Sequence, residues 1–476
     1  MAHWLCIRVP QLPLDVFSRG SSEPQPLAVS HSGRRSSVLL CNPAAHARGI
    51  QPGISVAAAR ALAHDLIVQS RDLNAERAAL HALAAWSYQF SAQVSLYPPD
   101  ALLLEVQGSF TLFGGWPALL DKVRCGLAGL GYLTRLAGAP TPLAALSLAR
   151  CNSEQHIEAH QQLAAALSPL PVSVLDWEQV LIDRLDGMGV RQLGDLLRLP
   201  RDGLARRFGQ QSLLYLDRML GRCPHPQELY QPPQIFRRRL QLPAEVGQAQ
   251  ALLFALQRLL LELCGWLGGQ GAGVQRVDVC LQHREQRVTR FSLETRKPGR
   301  DIEQLTSLFR ERLERLALPL SVIEVELCVD EVLALDADSP DLFGSSGKPE
   351  RLNLLDHLRA RLGDGAVTGI SAVAEHRPEY AWRYTDPGDS RTDNNGRQRP
   401  LWLLSVARPL KTRNGRPQLH GELQLETGRE RIESGWWDGK DVARDYYIAT
   451  NPAGSSYWVY RELTGGQGWY LQGVFE

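Results

Sequence analysis

Ile182-Asp183-Arg184-Leu185-Asp186-Gly187-Met188-Gly189-Val190-Arg191-Gln192-Leu193-Gly194-Asp195-Leu196-Leu197 is the stretch on which the fold turns. Apolar residues at 182 and 185, a Gly-Met-Gly turn, then leucines at 193, 196 and 197 have the spacing of a helix–hairpin–helix. Glycine admits the positive φ that so tight a turn needs. Such a turn can aim backbone amides at a phosphate oxygen, so Gly187, Met188, Gly189 and the neighbouring Arg191 are candidate contacts to a nucleic-acid backbone. A plain αα-hairpin with a glycine-rich connector has the same pattern.

Downstream, residues 235–335 read as strand (236–242), helix (249–267), strand (274–282), strand (287–295), helix (302–316) and strand (321–329). That β-α-β-β-α-β order is the split, ferredoxin-like motif. Arg237-Arg238-Arg239 opens its first strand. Alternate strand residues share a face, so Arg237 and Arg239 are either phosphate contacts or part of a solvated face. Upstream, strands at 4–9, 37–41 and 102–106 alternate with helices at 55–62, 73–91, 119–130 and 143–150. Ser55 caps the first of these helices. This mixture makes an α/β or α+β unit.

A chain of 476 residues is too long for one core, since cores stop growing near ~250–300 residues. At 44% hydrophobic and 22% charged it is a folded chain rather than a disordered one. No run approaches the ~18 apolar residues of a membrane helix, and residues 1–10 lack the features of a signal peptide. A cytoplasmic protein is expected. Basic and acidic side chains number 52 and 51, so a strongly basic nucleic-acid footprint is absent in bulk. Of the basic residues 47 are Arg and 5 Lys, a bias that suits phosphate and that a GC-rich genome also produces. The eight cysteines form no CxxC pair and read as buried thiols in a reducing compartment. GxGxxG, P-loop, HExxH and nucleophile-elbow motifs are all missing, so no metal or cofactor is expected.

Residues 336–350 are an acidic linker rich in Ser, Gly and Pro, containing Ser339-Pro340-Asp341-Leu342-Phe343. No periodic face surrounds the Leu-Phe pair, which reads as a docking peptide or as side chains folded back on the preceding domain. Residues 351–476 hold six of the eleven Trp and seven of the twelve Tyr. Alternation in Tyr457-Trp458-Val459-Tyr460 and Trp469-Tyr470-Leu471 suggests small β-hairpins. Glu433, Asp438, Asp441 and Asp445, beside Trp436-Trp437, read as loop and surface charge rather than as a metal site.

An α/β unit, a helix–hairpin–helix and a β-α-β-β-α-β unit, in that order, resemble a Y-family (translesion) DNA polymerase. Arg48-Gly49-Ile50-Gln51-Pro52-Gly53 resembles the fingers segment of that family, and Gly108-Ser109-Phe110 with Phe113-Gly114-Gly115 its palm segment. The resemblance implies an α+β multidomain fold: palm and fingers at 1–170, thumb at 171–234, little finger at 235–335. With the 336–350 linker and the 351–476 tail, the chain is similar to the ImuB family of bacterial mutagenesis cassettes. Glu433-Ser434-Gly435-Trp436-Trp437-Asp438-Gly439 and Gly468-Trp469-Tyr470-Leu471-Gln472-Gly473 carry that part of the likeness.

Y-family enzymes hold two divalent ions on a first-strand Asp-hydrophobic-Asp and a later Asp-Glu pair, and the chemistry needs both ions ~3.5–4 Å apart. The matching positions here are Arg8-Val9-Pro10 and Asp100-Ala101. The family's triphosphate-binding Tyr and Arg fall at Pro43 and His46, and its palm lysines at Pro142 and Leu146. The resemblance therefore implies a non-catalytic adaptor in translesion synthesis and damage-induced mutagenesis, working at the nucleoid. Its implied partners are primer–template DNA, the sliding clamp, a RecA-like ImuA protein and an error-prone replicative-type polymerase. Residues 339–343 resemble the clamp-binding pentapeptide that ends in Leu-Phe, without its leading Gln and following Leu. The alternative is an active translesion polymerase with an atypical metal site.

Overall fold

The computed structural model describes residues 2–20, 25–31, 36–151, 153–335, 348–387, 399–426 and 428–475. They form two units, Met1–Arg361 and Leu362–Glu476.

In the first unit four antiparallel strands stand in the order Val94–Tyr97, Ala101–Glu105, Trp4–Arg8, Arg135–Ala139. Alternate residues face opposite ways, and both faces are covered. Leu5, Ile7, Leu102 and Leu104 pack on Leu80, Leu83 and Trp86 of helix Leu73–Ser87 and on Leu119 and Val123 of helix Trp116–Gly129. Trp4, Cys6 and Leu103 pack on Leu143 and Leu146 of helix Pro142–Arg150. Burial on both faces explains why Trp4–Arg8 and Ala101–Glu105 read as nearly unbroken apolar runs.

A smaller sheet orders Val38–Cys41, Leu27–Ser30 and Ile67–Ser70 beside helices Pro43–His46 and Val56–Leu62. Ser55 Oγ accepts the Ala58 N–H at 3.2 Å, and Asp72 caps helix Leu73–Ser87. That helix ends at Ser87, four residues short of the expectation. Strands at 27–30, 67–70, 94–97 and 135–139 and the helix Leu12–Ser18 were not legible. The strands are four or five residues long, and Pro13 hides the helix by sitting in its first turn, where proline is tolerated.

The thumb is four helices, Gln179–Gly187, Leu193–Arg198, Arg201–Phe208 and Gln210–Met219. Leu185, Leu193 and Leu196 share the core that lies under the palm sheet. In the little finger, strands Phe236–Val246, Ala272–His283, Val288–Gly299 and Val322–Val329 lie in the order third, second, fourth, first, all antiparallel. Each helix, Leu253–Gln270 or Ile302–Glu314, joins two parallel strands split by an antiparallel one.

Helix Leu253–Gln270 has apolar residues on both flanks because it is covered on both. One flank meets the sheet through Leu256, Leu260 and Leu263. The other meets the palm, where Trp86 lies between two glycines. A Cβ at Gly265 would stand 2.2 Å from Trp86 Cδ1, and one at Gly126 would stand 2.3 Å from Cζ2. By length and composition alone, Ala249–Gln270 would suit a membrane span; its apolar surface is spent on these two contacts.

A charged cluster lies in the same seam. Arg19 donates from Nε to the Leu130 carbonyl at 2.7 Å, from Nη1 to the Tyr132 hydroxyl and from Nη2 to Glu262 of the little-finger helix. Its guanidinium also stacks 4.1 Å from the centre of the Tyr132 ring. Nearby Asp15 is 5% exposed and accepts the Leu133 N–H at 3.3 Å. Burial pushes its pKa up to about 7, against the pull of that N–H and of Arg19 and Arg258. Between the unfolded carboxylate value of ~3.9 and about 7 the folded state binds more protons, so Asp15's contribution to stability falls as pH rises. Asp15→Asn keeps the acceptor oxygen and should flatten the fall in melting temperature from about pH 5 to about pH 7.5. Equal slopes in the two proteins would contradict this assignment.

Helix Lys348–Leu362 starts inside the expected linker and belongs with the little finger. Asp356 accepts the Arg296 N–H at 3.3 Å, His357 Nδ1 meets Glu311 at 2.9 Å, and Ala360 joins the little-finger core. The break between units therefore follows Arg361, some ten residues past the expected boundary.

In the second unit the main sheet orders Arg416–Gln418, Trp402–Arg413, Trp469–Val474, Ser456–Glu462, Val442–Thr450 and Gln424–Leu425, with Glu430–Ser434 also pairing to Val442–Thr450. Residues 457–460 and 469–471 are neighbouring antiparallel strands, as their alternation implies. Asp445 was expected at the surface and is instead 5% exposed, gripped by Arg431 at 2.8 Å. Asp438 is bonded to the buried Arg377 at 2.8 Å.

Candidate functional site

Arg8 is the last residue of the first palm strand, with Ala101 and Arg135 as its cross-strand partners. Strand pairing alone thus brings together the two positions that sequence reading assigned to lost carboxylates. Asp100, one residue before Ala101, lies beside Arg8, whose Nε donates to its Oδ2 at 2.8 Å. Side-chain exposures of 24% and 21% place the pair in a cleft rather than in bulk water. Arg8 Nη1 also donates to the Arg150 carbonyl at 3.4 Å, and Arg150 Nη1 donates to the Val174 carbonyl at 2.8 Å. Tyr97 donates its hydroxyl to Asp176 Oδ2 at 2.7 Å. Burial, followed by Asp100, raises the Cys6 thiol beneath the pair to about 12, so it stays protonated.

Asp15, the nearest acid after the first strand, belongs to helix Leu12–Ser18 and faces Leu133 in the palm–little-finger seam. Pro10 forms the turn between. Among the described residues no three His, Cys, Asp or Glu side chains are grouped to hold a metal ion. Pro43 and His46 are exposed on their four-residue helix. Pro142 and Leu146 are buried in helix Pro142–Arg150, with no side chain that could hold a triphosphate.

Residues 21–150 match the model of the impB/mucB/samB family. Protein ImuB of Caulobacter vibrioides (strain NA1000 / CB15N) is 29% identical over 458 residues, covering 90% of this chain and 100% of the relative. This chain is similar to ImuB along most of its length. Among solved structures, DinB from Sulfolobus solfataricus is 18% identical with a TM-score of 0.37, and the insertion ternary complex of Dbh DNA polymerase is 16% identical with a TM-score of 0.40. Each covers 70% of this chain and 100% of that one. The fold is Y-family polymerase-like, with a β-rich C-terminal unit.

In this ImuB-like chain the residues expected on DNA are already engaged. The hairpin turn is a Schellman cap: Gly189, at φ 78°, donates to the Asp186 carbonyl at 2.9 Å, and Val190 donates to that of Leu185 at 3.0 Å. Met188 donates to Leu185 at 3.1 Å. These amides close the helix, so the outward-facing amides expected of the turn are not offered in this conformation. Gly187 is helical, and a Cβ there would meet nothing within 4 Å. Arg191 pairs with Asp186 at 3.1 Å.

Arg237 and Arg239 share the outer face of the little-finger sheet and reach Glu326 at 3.6 and 3.1 Å. Arg238 points the other way, 3.8 Å from Glu262 in the palm seam. Arg276 is likewise paired, with Asp278 and Glu294. Arg237 and Arg239 are more than half exposed but Glu326 is only 9% exposed, so a phosphate has to draw them from a largely buried carboxylate, at a cost in affinity. Ser339, Pro340, Asp341, Leu342 and Phe343 lie outside the described residues. Sequence reading missed Arg19, Glu262 and Trp86 in the seam and Arg150 beside Arg8. The one available signal was Glu262 inside the long apolar stretch Leu259–Leu267.

Proposed function

We propose that this chain is a non-catalytic, Y-family-like adaptor in DNA-damage tolerance. It binds primer–template DNA through thumb and little finger and brings an error-prone replicative-type polymerase to the sliding clamp, with a RecA-like ImuA protein as a further partner, at the nucleoid in the cytoplasm. The observation that carries the reading is the Arg8–Asp100 ion pair opposite Ala101. A fixed guanidinium stands where the family's first metal-binding carboxylate would, and it occupies the one acid that remains. Mg²⁺ takes hard oxygen ligands, and one arginine-bound carboxylate is a poor substitute for a three-acid cluster.

Recruitment to the clamp is assigned to Leu342 and Phe343. Seating each side chain in an apolar pocket contributes roughly 1.5–3 kcal/mol, which after the cost of ordering the segment suggests a Kd on the order of 1 μM. The variant Leu342→Ala/Phe343→Ala should lose clamp binding in surface plasmon resonance with an unchanged melting temperature. Clamp binding that persists would remove this site. A large fall in melting temperature would instead place the pair in a folded core.

A further inference from the structure

A cavity of about 740 Å³ opens where the first palm strand, the end of helix Pro142–Arg150 and residues 169–176 meet. We infer that it binds a phosphate group, of a nucleotide or of a DNA strand, without a metal ion, between the guanidinium groups of Arg8 and Arg150. Both arginines line the cavity, together with Ser153, Ser173 and Asp176. Each is fixed by its own bonds yet keeps donor capacity. Arg8 commits Nε to Asp100 and Nη1 to the Arg150 carbonyl, and its Nη2 has no partner among the described residues. Arg150 commits Nη1 to Val174 and meets Asp176 through Nη2 at 3.4 Å, while its Nε has no partner among the described residues.

Arginine held this way loses little freedom on meeting an anion, and its planar fork matches phosphate geometry. The charges lining the cavity are two guanidinium groups and one carboxylate, Asp176, whose side chain is 51% exposed at the rim. Asp100 lies behind Arg8 and is neutralised by it. In a two-metal polymerase site cations bridge carboxylates to phosphate; here the protein supplies the positive charge directly. The volume lies within the ~300–1,000 Å³ of ordinary ligand pockets, and Leu170 and Pro171 give it an apolar wall for a sugar or base.

The test uses the full chain in EDTA with two probes in separate arms, a fluorescent deoxynucleoside triphosphate and a labelled primer–template. At least one should bind with an affinity that added Mg²⁺ leaves unchanged. That affinity should fall tenfold or more in Arg8→Gln/Asp100→Asn and in Arg150→Gln, and rise several-fold in Asp176→Asn. The arm that shows these changes identifies the phosphate as that of free nucleotide or of DNA. Two results overturn the site: arginine variants that fold and bind both probes as the parent does, or binding that requires Mg²⁺. If the arginine variants do not fold, Asp176→Asn decides, and no gain in affinity there also overturns the site. Neither failure touches the loss of catalysis, which primer extension tests separately.

Discussion

Glu262→Ala should destabilise the first unit by about 3–5 kcal/mol, the usual consequence of removing one partner from a buried ion pair. Arg19 and Glu262 have side-chain exposures of 6% and 5%, so neither finds water when the other is lost. The Arg19 guanidinium would keep the Leu130 carbonyl and the Tyr132 hydroxyl but lose its counter-charge, and Arg238, 3.8 Å from the same carboxylate, would lose its own. Replacing both charges by apolar residues of similar volume, Arg19→Met with Glu262→Met, should recover most of the loss, because the expense lies in an unpaired buried charge rather than in a missing attraction. Chemical denaturation followed by Trp fluorescence measures both variants. A single-variant loss below about 1 kcal/mol would contradict the buried geometry, as would a double variant no better than the single.

The seam has a structural consequence. Arg19 and Tyr132 belong to the palm, Glu262 and Arg238 to the little finger, and Trp86 fills the space left by Gly126 and Gly265. A glycine at 265 lets the indole approach to a distance no side chain would allow. The little finger is therefore held on the palm by a buried, shape-specific contact within the first unit.

Local pattern revealed much of the fold and little of its assembly. The β-α-β-β-α-β order of the little finger was legible because its helix and strand periodicities differ, and the tail hairpins because aromatic residues alternate there. That Arg8, Asp100 and Ala101 belong to one site was legible only through the family resemblance; the strand register sets Arg8 opposite Ala101. Alternation along a strand separated Arg238 from Arg237 and Arg239, but nothing local said that Glu326 would meet the outer pair or Glu262 the inner one. Arg19 and Glu262 are 243 residues apart, and contacts at that range leave no trace in composition or periodicity. The Gly-Met-Gly turn shows a different limit. Gly189 was correctly placed in a tight turn while Gly187 ends the helix, yet the need for glycine at 189 is a helix cap, and only the hydrogen bonds reveal that its amide is engaged there.

The central claim is that this palm cannot perform nucleotidyl transfer, and primer extension by the purified full-length chain tests it most directly. The two-metal reaction requires both ions, and losing even one donor group at such a site commonly costs orders of magnitude in rate. In the proposed reading Arg8 and Ala101 stand at the positions of the first-strand and terminal acids, and Asp100 is bound to Arg8 at 2.8 Å. With Mg²⁺ or Mn²⁺, an undamaged or lesion-containing template and all four deoxynucleotides, the account predicts no extended primer above the enzyme-free background. Template-directed incorporation that disappears in Asp100→Ala would contradict it, because that outcome would make Asp100 a working metal ligand and this chain a polymerase.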